Sequence, residues 1–463
     1  MISSPHTSSP KSATSELLDQ SALSQLAERL VEAAKRAGAD AADAVAVRGV
    51  SQGVEVRDGR VEESERSEGD DVGLRVLVGR RQAVVSTNDI GGDNVAKLAE
   101  RAVAMARVAP DDKYVGLADP ALLAKNFPDL DLLDPVTPST VELERRAVEA
   151  EAAGLAVKGV TKSGGASASA GMGGMVLVTS TGFHGSYLRS SQSISMMAIV
   201  GDGTAMERDY DFTSALHGAD LDSAASVGRS AGERTVARAN PRKVATCKVP
   251  VVYDPRVAGS LVGHVIGAAN GASIARKTSF LKDRLGERLF AKGIRIVDDP
   301  LRVRGLRSQS FDAEGVVTKK LAVIDDGVLT SWLMDSATAR ELGRTTPGPA
   351  HRGVSSSPSP GSYNLHLEAG EMTPAELISD IKEGFYVTDL IGSGVNGVTG
   401  DYSRGASGFW IENGEITYPV SEITIAGHLI EMFKSLTPAN DLTFRYATNA
   451  PTVRIEGLTI GGR

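Results

Sequence analysis

The chain has 463 residues, of which 41% are hydrophobic and 23% charged, a balance that supplies a normal core and excludes general disorder. Lys and Arg number 50 against 58 Asp and Glu, giving a formal charge of −8, so a nucleic-acid footprint, which needs a basic face, is not expected. The single cysteine, Cys247, excludes an internal disulfide framework and any Cys-rich zinc site, and no apolar run reaches the ~18 residues of a membrane span.

Residues 1–15 are mostly Ser, Thr and Pro without an apolar segment. They read as a disordered tail and not as a secretory signal, so the expected location is the cytoplasm. Length allows about three domains, but the element pattern suggests two: an N-terminal unit over 16–240 and a β-rich unit over 241–463. A helix is expected from Glu16, with Leu23, Leu26, Leu30 and Ala34 on one face and Gly38 as its stop. Val54 and Val56 precede Asp58-Gly59, a tight-hairpin signal. Leu98, Ala102 and Ala106 mark a second helix, and Ser139 with Glu142 suits the cap of a third. From Ser163 to Asp211 the pattern turns to strands, with Thr181-Gly182 as a turn. Ala and Ser fill 163–171, so pairing register there is expected to be weakly specified. A helix over about 220–238 ends at the Asn240-Pro241 break.

The second half opens on the alternating strand Val249, Val251, Tyr253, followed by a helix begun by Pro255. Residues 345–362, rich in Pro, Gly and Ser, predict a flexible surface loop. Thr373-Pro374-Ala375-Glu376 is a capping box for a short helix ended by Gly384, and Asn413-Gly414 turns a late hairpin. Strict strand–helix alternation is missing, so the order of elements predicts an α+β fold with largely antiparallel sheets.

Few residues offer chemistry on their own. Gly392 to Gly397 has the spacing of a dinucleotide loop, but no helical periodicity follows it, so a structural glycine loop is the stronger reading. Cys247 beside Lys248 reads as a small buried residue before it reads as a nucleophile. None of the seven histidines pairs with another at the four-residue spacing that holds zinc on a helix. His264, mid-helix among apolar neighbours, reads as a hydrogen-bonded core or interface histidine. The densest polar cluster is Asp401, Tyr402, Ser403 and Arg404. It reads as a loop anchored by an Asp–Arg pair, with Asp401 and Glu422 as the alternative, an acid/base pair.

The run Gly400-Asp401-Tyr402-Ser403-Arg404-Gly405-Ala406-Ser407-Gly408-Phe409-Trp410-Ile411-Glu412-Asn413-Gly414-Glu415-Ile416, continued by Tyr418 to Gly427, resembles the signature of the TldD/PmbA family, PmbA (TldE) type. Arg276 to Leu281, Phe311 to Gly315, Val54 to Glu65 and Gly73 to Val76 extend the resemblance over nearly the whole chain beyond residue 15. It implies an N-terminal α/β domain and a C-terminal, strongly curved, mainly antiparallel sheet. TldD-type members carry a helical His-Glu-x-x-x-His zinc motif and a distal Cys, whereas TldE-type members lack these groups and pair with TldD as a heterodimeric peptidase of unstructured peptides, acting in peptide-antibiotic leader removal and antitoxin turnover. Here His264 matches the first His, but Val265 stands at the Glu position and Ala269 at the second His, and no Cys follows Cys247. The resemblance therefore implies a non-catalytic subunit with no zinc of its own, a TldD-type partner that carries the zinc, and an unfolded peptide as substrate; whether the chain forms a homodimer when alone is left open by the sequence. His264, Asp401, Tyr402, Ser403 and Arg404 are the residues expected to face the partner or peptide. Two rivals are a stand-alone homodimeric binding module that captures peptides or a regulatory partner, and a hydrolase using Asp401 and Glu422.

Overall fold

The computed structural model describes residues 19–89, 91 and 94–462. The expected tail and the predicted helix start at Glu16 lie outside these residues. The N-terminal half runs α1 (Ser21–Arg36), β1 (Ala41–Arg57), β2 (Arg60–Val78), β3 (Arg81–Thr87), α2 (Asn94–Val108), α3 (Thr140–Leu155), β4 (Lys162–Thr179), β5 (His184–Val200), β6 (Glu207–Ala215) and α4 (Ala224–Ala237). Its strands form one antiparallel sheet in the order β3-β2-β1-β4-β5-β6. All four helices cover one face. Leu26 and Leu30 of α1 and Ala102 of α2 pack on Leu74 and Val76, while Leu143 and Ala147 of α3 and Val227 of α4 pack on Ile194 and Met196. Asp58 and Gly59 turn the first hairpin with φ of 52° and 72°, the left-handed pair that Asp-Gly favours.

Register in the Ala/Ser stretch is sharper than the composition suggests. Ala166, Ala168 and Ala170 are buried beneath the helices. The alternate residues Ser167 and Ser169 face the other side and bond Ser195 and Ser193, each at 2.8 Å. A one-residue slip would bury the hydroxyls and expose the alanines, so the pattern fixes itself despite its small side chains. β2 is paired by the edge strand β3 only from Val72 to Val78, so its residues 60–71, bonded on the β1 side alone, are themselves a sheet edge.

The second half contains β7 (Cys247–Tyr253), α5 (Pro255–Ala268), β8 (Glu383–Ile391), β9 (Asp401–Glu412), β10 (Glu415–His428) and β11 (Val453–Gly461) as its main elements. They order as β10-β9-β8-β7-β11, and β10 also pairs with β11, so the curved sheet closes into a small barrel. Only the β8–β7 contact is parallel. Asp254 caps α5 with Pro255 at its first turn, and Leu261, Val262 and Val265 join Val251, Phe385 and Ile425 in one core. Together the halves make an α+β protein. The capping box at Thr373 is complete, although its helix ends at Ile378 and Gly384 lies in β8. Asn413 and Gly414 form the predicted hairpin turn.

Two expectations are corrected. The 345–362 stretch is not a flexible surface loop: it is threaded between the halves, and its Arg352 side chain, 1% exposed, pairs with Asp43 of β1. Asp401 to Arg404 are not a loop either, since they open strand β9, where cross-strand bonds to β10 hold them extended.

Candidate functional site

α5 positions the first cluster. Its core side carries Leu261, Val262 and Val265, while Gly263 and Gly267 are exposed and His264 is half-buried between the two sides. Val265 and Ala269 are 1% and 0% exposed, so the positions matched to the missing Glu and second His face the core. His264 meets Tyr402 edge to face at 5.8 Å, and the Tyr253 hydroxyl donates to that of Tyr402 at 3.4 Å. Burial, and then the Arg404 charge, push the imidazole down to about 4, so it is neutral at pH 7. Its buried Nε2 has no hydrogen-bond partner among the described residues. The hydrogen bond expected of a core or interface histidine is thus not made at Nε2. Tyr253 and Tyr402, 0% and 1% exposed, belong to the core, so Tyr402 is not the open site residue the sequence suggested; the half-buried imidazole and the Arg404 guanidinium remain, and they supply no carboxylate to take a proton from water.

The alternating strand splits the predicted site. Tyr402 and Arg404 share the His264 side of β9, whereas Asp401 and Ser403 point the other way. Asp401 accepts from Thr399 Oγ1 at 2.5 Å, and Ser403 N donates to Gly394 O at 2.7 Å. The supposed Asp–Arg anchor is not made, because Arg404 Nε donates to Ile391 O at 3.3 Å instead. Asp401 and Glu422 do not form an acid/base pair. Asp401 lies opposite His428, six positions along β10 from Glu422 and thus roughly 20 Å away at ~3.3 Å per residue. Glu422 is tied to Lys243.

Gly392 to Gly397 lead into β9 rather than a helix, and a Cβ on Gly394 would lie 1.7 Å from Ser403 O, so the glycine serves backbone packing. Burial, with Glu383, raises the Cys247 thiol, the opposite of an activated nucleophile. Among the described residues, no group of three His, Cys, Asp or Glu side chains could hold a metal ion, and no helix is long and apolar enough to cross a membrane.

Residue-by-residue reading missed a second feature. The sheet face opposite the helices borders a cleft of about 660 Å³ against the second half, lined by Gly49, Gly171 and Gly173 below and His351 to Val354 above. The alternation of Ser and Gly across 163–173 is its sequence signal, since a face without large side chains leaves space.

The His264 environment gives a pH prediction. An unfolded His titrates near 6.5, so the unfolded chain binds the extra proton between pH 6.5 and about 4. Stability present at pH 7 is lost as pH falls through that window, by up to about 3 kcal/mol. His264→Phe, which keeps the edge contact with Tyr402, should flatten that part of the acid limb. Urea denaturation at pH 7.5 and 4.5 checks this; equal slopes in both proteins would refute it.

Comparison with known proteins fits this geometry. Residues 246–462 match the PmbA/TldA metallopeptidase C-terminal domain, residues 42–106 its domain 1 and residues 131–239 its central domain. The last two together span the single N-terminal sheet. Metalloprotease PmbA of Escherichia coli O157:H7 is 37% identical over 412 residues, covering 89% of this chain and 90% of that protein. A PmbA homolog of Haemophilus influenzae is 36% identical, covering 95% and 96%. A crystal structure described as a modulator of DNA gyrase from Bacteroides thetaiotaomicron superposes with a TM-score of 0.88 at 27% identity, covering 95% of this chain and 98% of that one. TldE from Thermococcus kodakarensis shares the fold, with a TM-score of 0.84 at 20% identity over 94% of this chain and all of that one. The chain belongs to the PmbA/TldD metallopeptidase family and is of its PmbA/TldE type.

Proposed function

We propose that this chain is the non-catalytic half of a two-subunit zinc peptidase that acts on unstructured peptides, the zinc and its water being held by a TldD-type partner in the cytoplasm. One observation carries the reading. On α5, of the positions matched to the His-Glu-x-x-x-His motif, only His264 reaches the open side, while Val265 and Ala269 are sealed in the core. A lone neutral imidazole cannot hold zinc at catalytic affinity, because catalytic sites need three protein ligands. The names metalloprotease and TldE borne by the relatives support the family's chemistry as the setting. Substrates such as antibiotic leaders and antitoxins suit a cleft that admits an extended chain and excludes a folded one. In this reading the half-buried His264 and Arg404 face the partner or the peptide from one side of β9, with Tyr402, 1% exposed, packed behind His264 as part of the core, and the exposed Asp401 and Ser403 do so from the other.

The test is co-expression with a relative carrying the intact motif. The pure chain should hold less than stoichiometric zinc and leave a casein-like peptide intact. The mixed sample should form a stable complex with one zinc and cut the peptide. A stable homodimer that ignores such a partner would favour the stand-alone binding module, and turnover by the pure chain would overturn both readings.

A further inference from the structure

Residues 60–71 of β2 leave a long row of backbone groups unused. β3 stops covering the strand at Val72, so this stretch is bonded to β1 alone. Every residue in it except Asp70 is exposed. At ~3.3 Å per residue the rim is roughly 40 Å long. Alternate residues turn their N–H and C=O outward, and among the described residues no group bonds them. Edges of this length are usually shortened, bulged or broken by proline. Here no proline occurs, and the one register shift falls at Glu62, beside the hairpin tip.

Charge is sorted between the two faces of this rim. From Glu63 onward the register is regular, so alternate residues share a face. Toward the helices, Arg66 pairs with Glu68, and Asp70 with Arg48 at 2.6 Å. On the open face stand Glu63, Glu65, Ser67, Gly69 and Asp71, opposite Glu55, Gly53, Ser51, Gly49 and Val47. Among the described residues, no hydrogen bond or ion pair engages the carboxylates of Glu55, Glu63, Glu65 or Asp71. Glu55 lies directly opposite Glu63, a like-charge pair that costs stability. The nearest unpaired cation along β2 is Arg60, at the hairpin tip. A second copy of this edge would bring carboxylates against carboxylates, whereas a cationic strand would relieve the row. At its inner end the rim meets the cleft between the halves, which Ser67, Gly69 and Asp71 help to line.

We propose that the β2 edge captures an extended cationic segment of an unfolded chain by strand addition. Residues 60–71 supply the main-chain bonds, and Glu63, Glu65 and Asp71 select Lys or Arg at alternate positions. Main-chain bonds to an edge are nearly blind to side chains, so the carboxylates are what tell one extended segment from another. Each exposed carboxylate contributes little alone, and the selection comes from the row. The captured segment lies in line with β3 and reaches the mouth of the cleft at Asp71. The edge and its charge stand on the geometry alone. That the segment is afterwards cut by a zinc-bearing partner rests on the peptidase-subunit reading.

The test uses the full chain at low ionic strength, without zinc or a partner. A fluorescein-labelled peptide alternating Lys and Thr is compared with peptides that replace each Lys by Glu or by Ser. The Lys peptide should bind at least tenfold more tightly than either. N-methylation of every second residue, made on each alternating set in turn, should cost at least tenfold for the set whose amides face β2. Hydrogen exchange should slow at alternate amides within 60–71 when the peptide binds. The triple variant Glu63→Gln, Glu65→Gln, Asp71→Asn changes only exposed side chains, so it should fold as before and bind the Lys peptide at least fivefold less tightly. Equal binding of the three peptides, or unchanged binding by the triple variant, would overturn the cationic assignment. Full binding by both N-methylated peptides, or slowed exchange only outside 60–71, would overturn strand addition. Slow exchange at 60–71 in the free chain would mean that a second copy already pairs there, and it would sink the proposal, as would no binding of any peptide at millimolar concentration. Complex formation with a zinc-bearing partner is measured separately and bears only on the subunit reading.

Discussion

Asp43→Ala is expected to destabilise the protein by about 3–5 kcal/mol, the usual loss when one member of a buried ion pair is removed. Asp43 accepts from Arg75 Nε at 2.8 Å and Nη2 at 2.5 Å, and from Arg352 across the halves. None of the three side chains is more than 4% exposed. Burial alone would raise the Asp43 carboxyl, but Arg352 and Arg75 outweigh it and hold the group below the usual carboxylate range. Truncation leaves two guanidinium groups in the interior around a missing anion. The Arg75 charge also feels Glu314 and Asp335, which soften the loss without replacing the bonds. Asp43→Ala combined with Arg352→Met should recover part of it, since fewer uncompensated charges remain. Urea midpoints of the two single variants and the double variant measure this; a loss under about 1 kcal/mol for Asp43→Ala would show that the cluster is hydrated and weakly coupled.

Gly73→Ala should cost about 2–3 kcal/mol through steric overlap. A Cβ on Gly73 would lie 1.9 Å from Val354 O and 2.7 Å from Val354 C. Backbone cannot yield as a side-chain tip can, so the segment bearing Arg352 must lift from the sheet. The expected signature is a lower Tm together with faster tryptic cleavage after Arg352. An unchanged Tm with Arg352 still protected would mean that the segment slides aside at no cost.

These two residues also show what the sequence could not reveal. The apolar spacing of Leu23 to Ala34 and the Asp58-Gly59 and Asn413-Gly414 turns were legible because each is settled by a few neighbouring residues. The run 345–362 was misread because Pro, Gly and Ser report backbone freedom, whereas its place is set by a bond from Arg352 to Asp43 across 309 positions. Barrel closure was hidden for the same reason, since β10 and β11 meet through a long-range pairing. In the candidate site, Tyr402 and Arg404 were found with the wrong local structure. Once they are placed on a strand, period two separates them from Asp401 and Ser403. The cleft between the halves was invisible to a search for reactive side chains because its floor consists largely of residues that lack them.

The one-sided pairing of β2 between residues 60 and 71 bears on how the chain survives its own synthesis. The β1–β2 hairpin, ending at Val78, leaves the ribosome complete 84 positions before β4, the other neighbour of β1, begins at Lys162. For that interval both long strands offer open rims to any other nascent chain. On the β2 side the carboxylates of Glu63, Glu65 and Asp71, beside Glu62, Glu68 and Asp70 with their arginine partners, make the rim acidic and repellent to its own copies. Strands that cannot zip to a twin can wait, and the acidity of this ribbon protects the unfinished molecule before it serves the finished one.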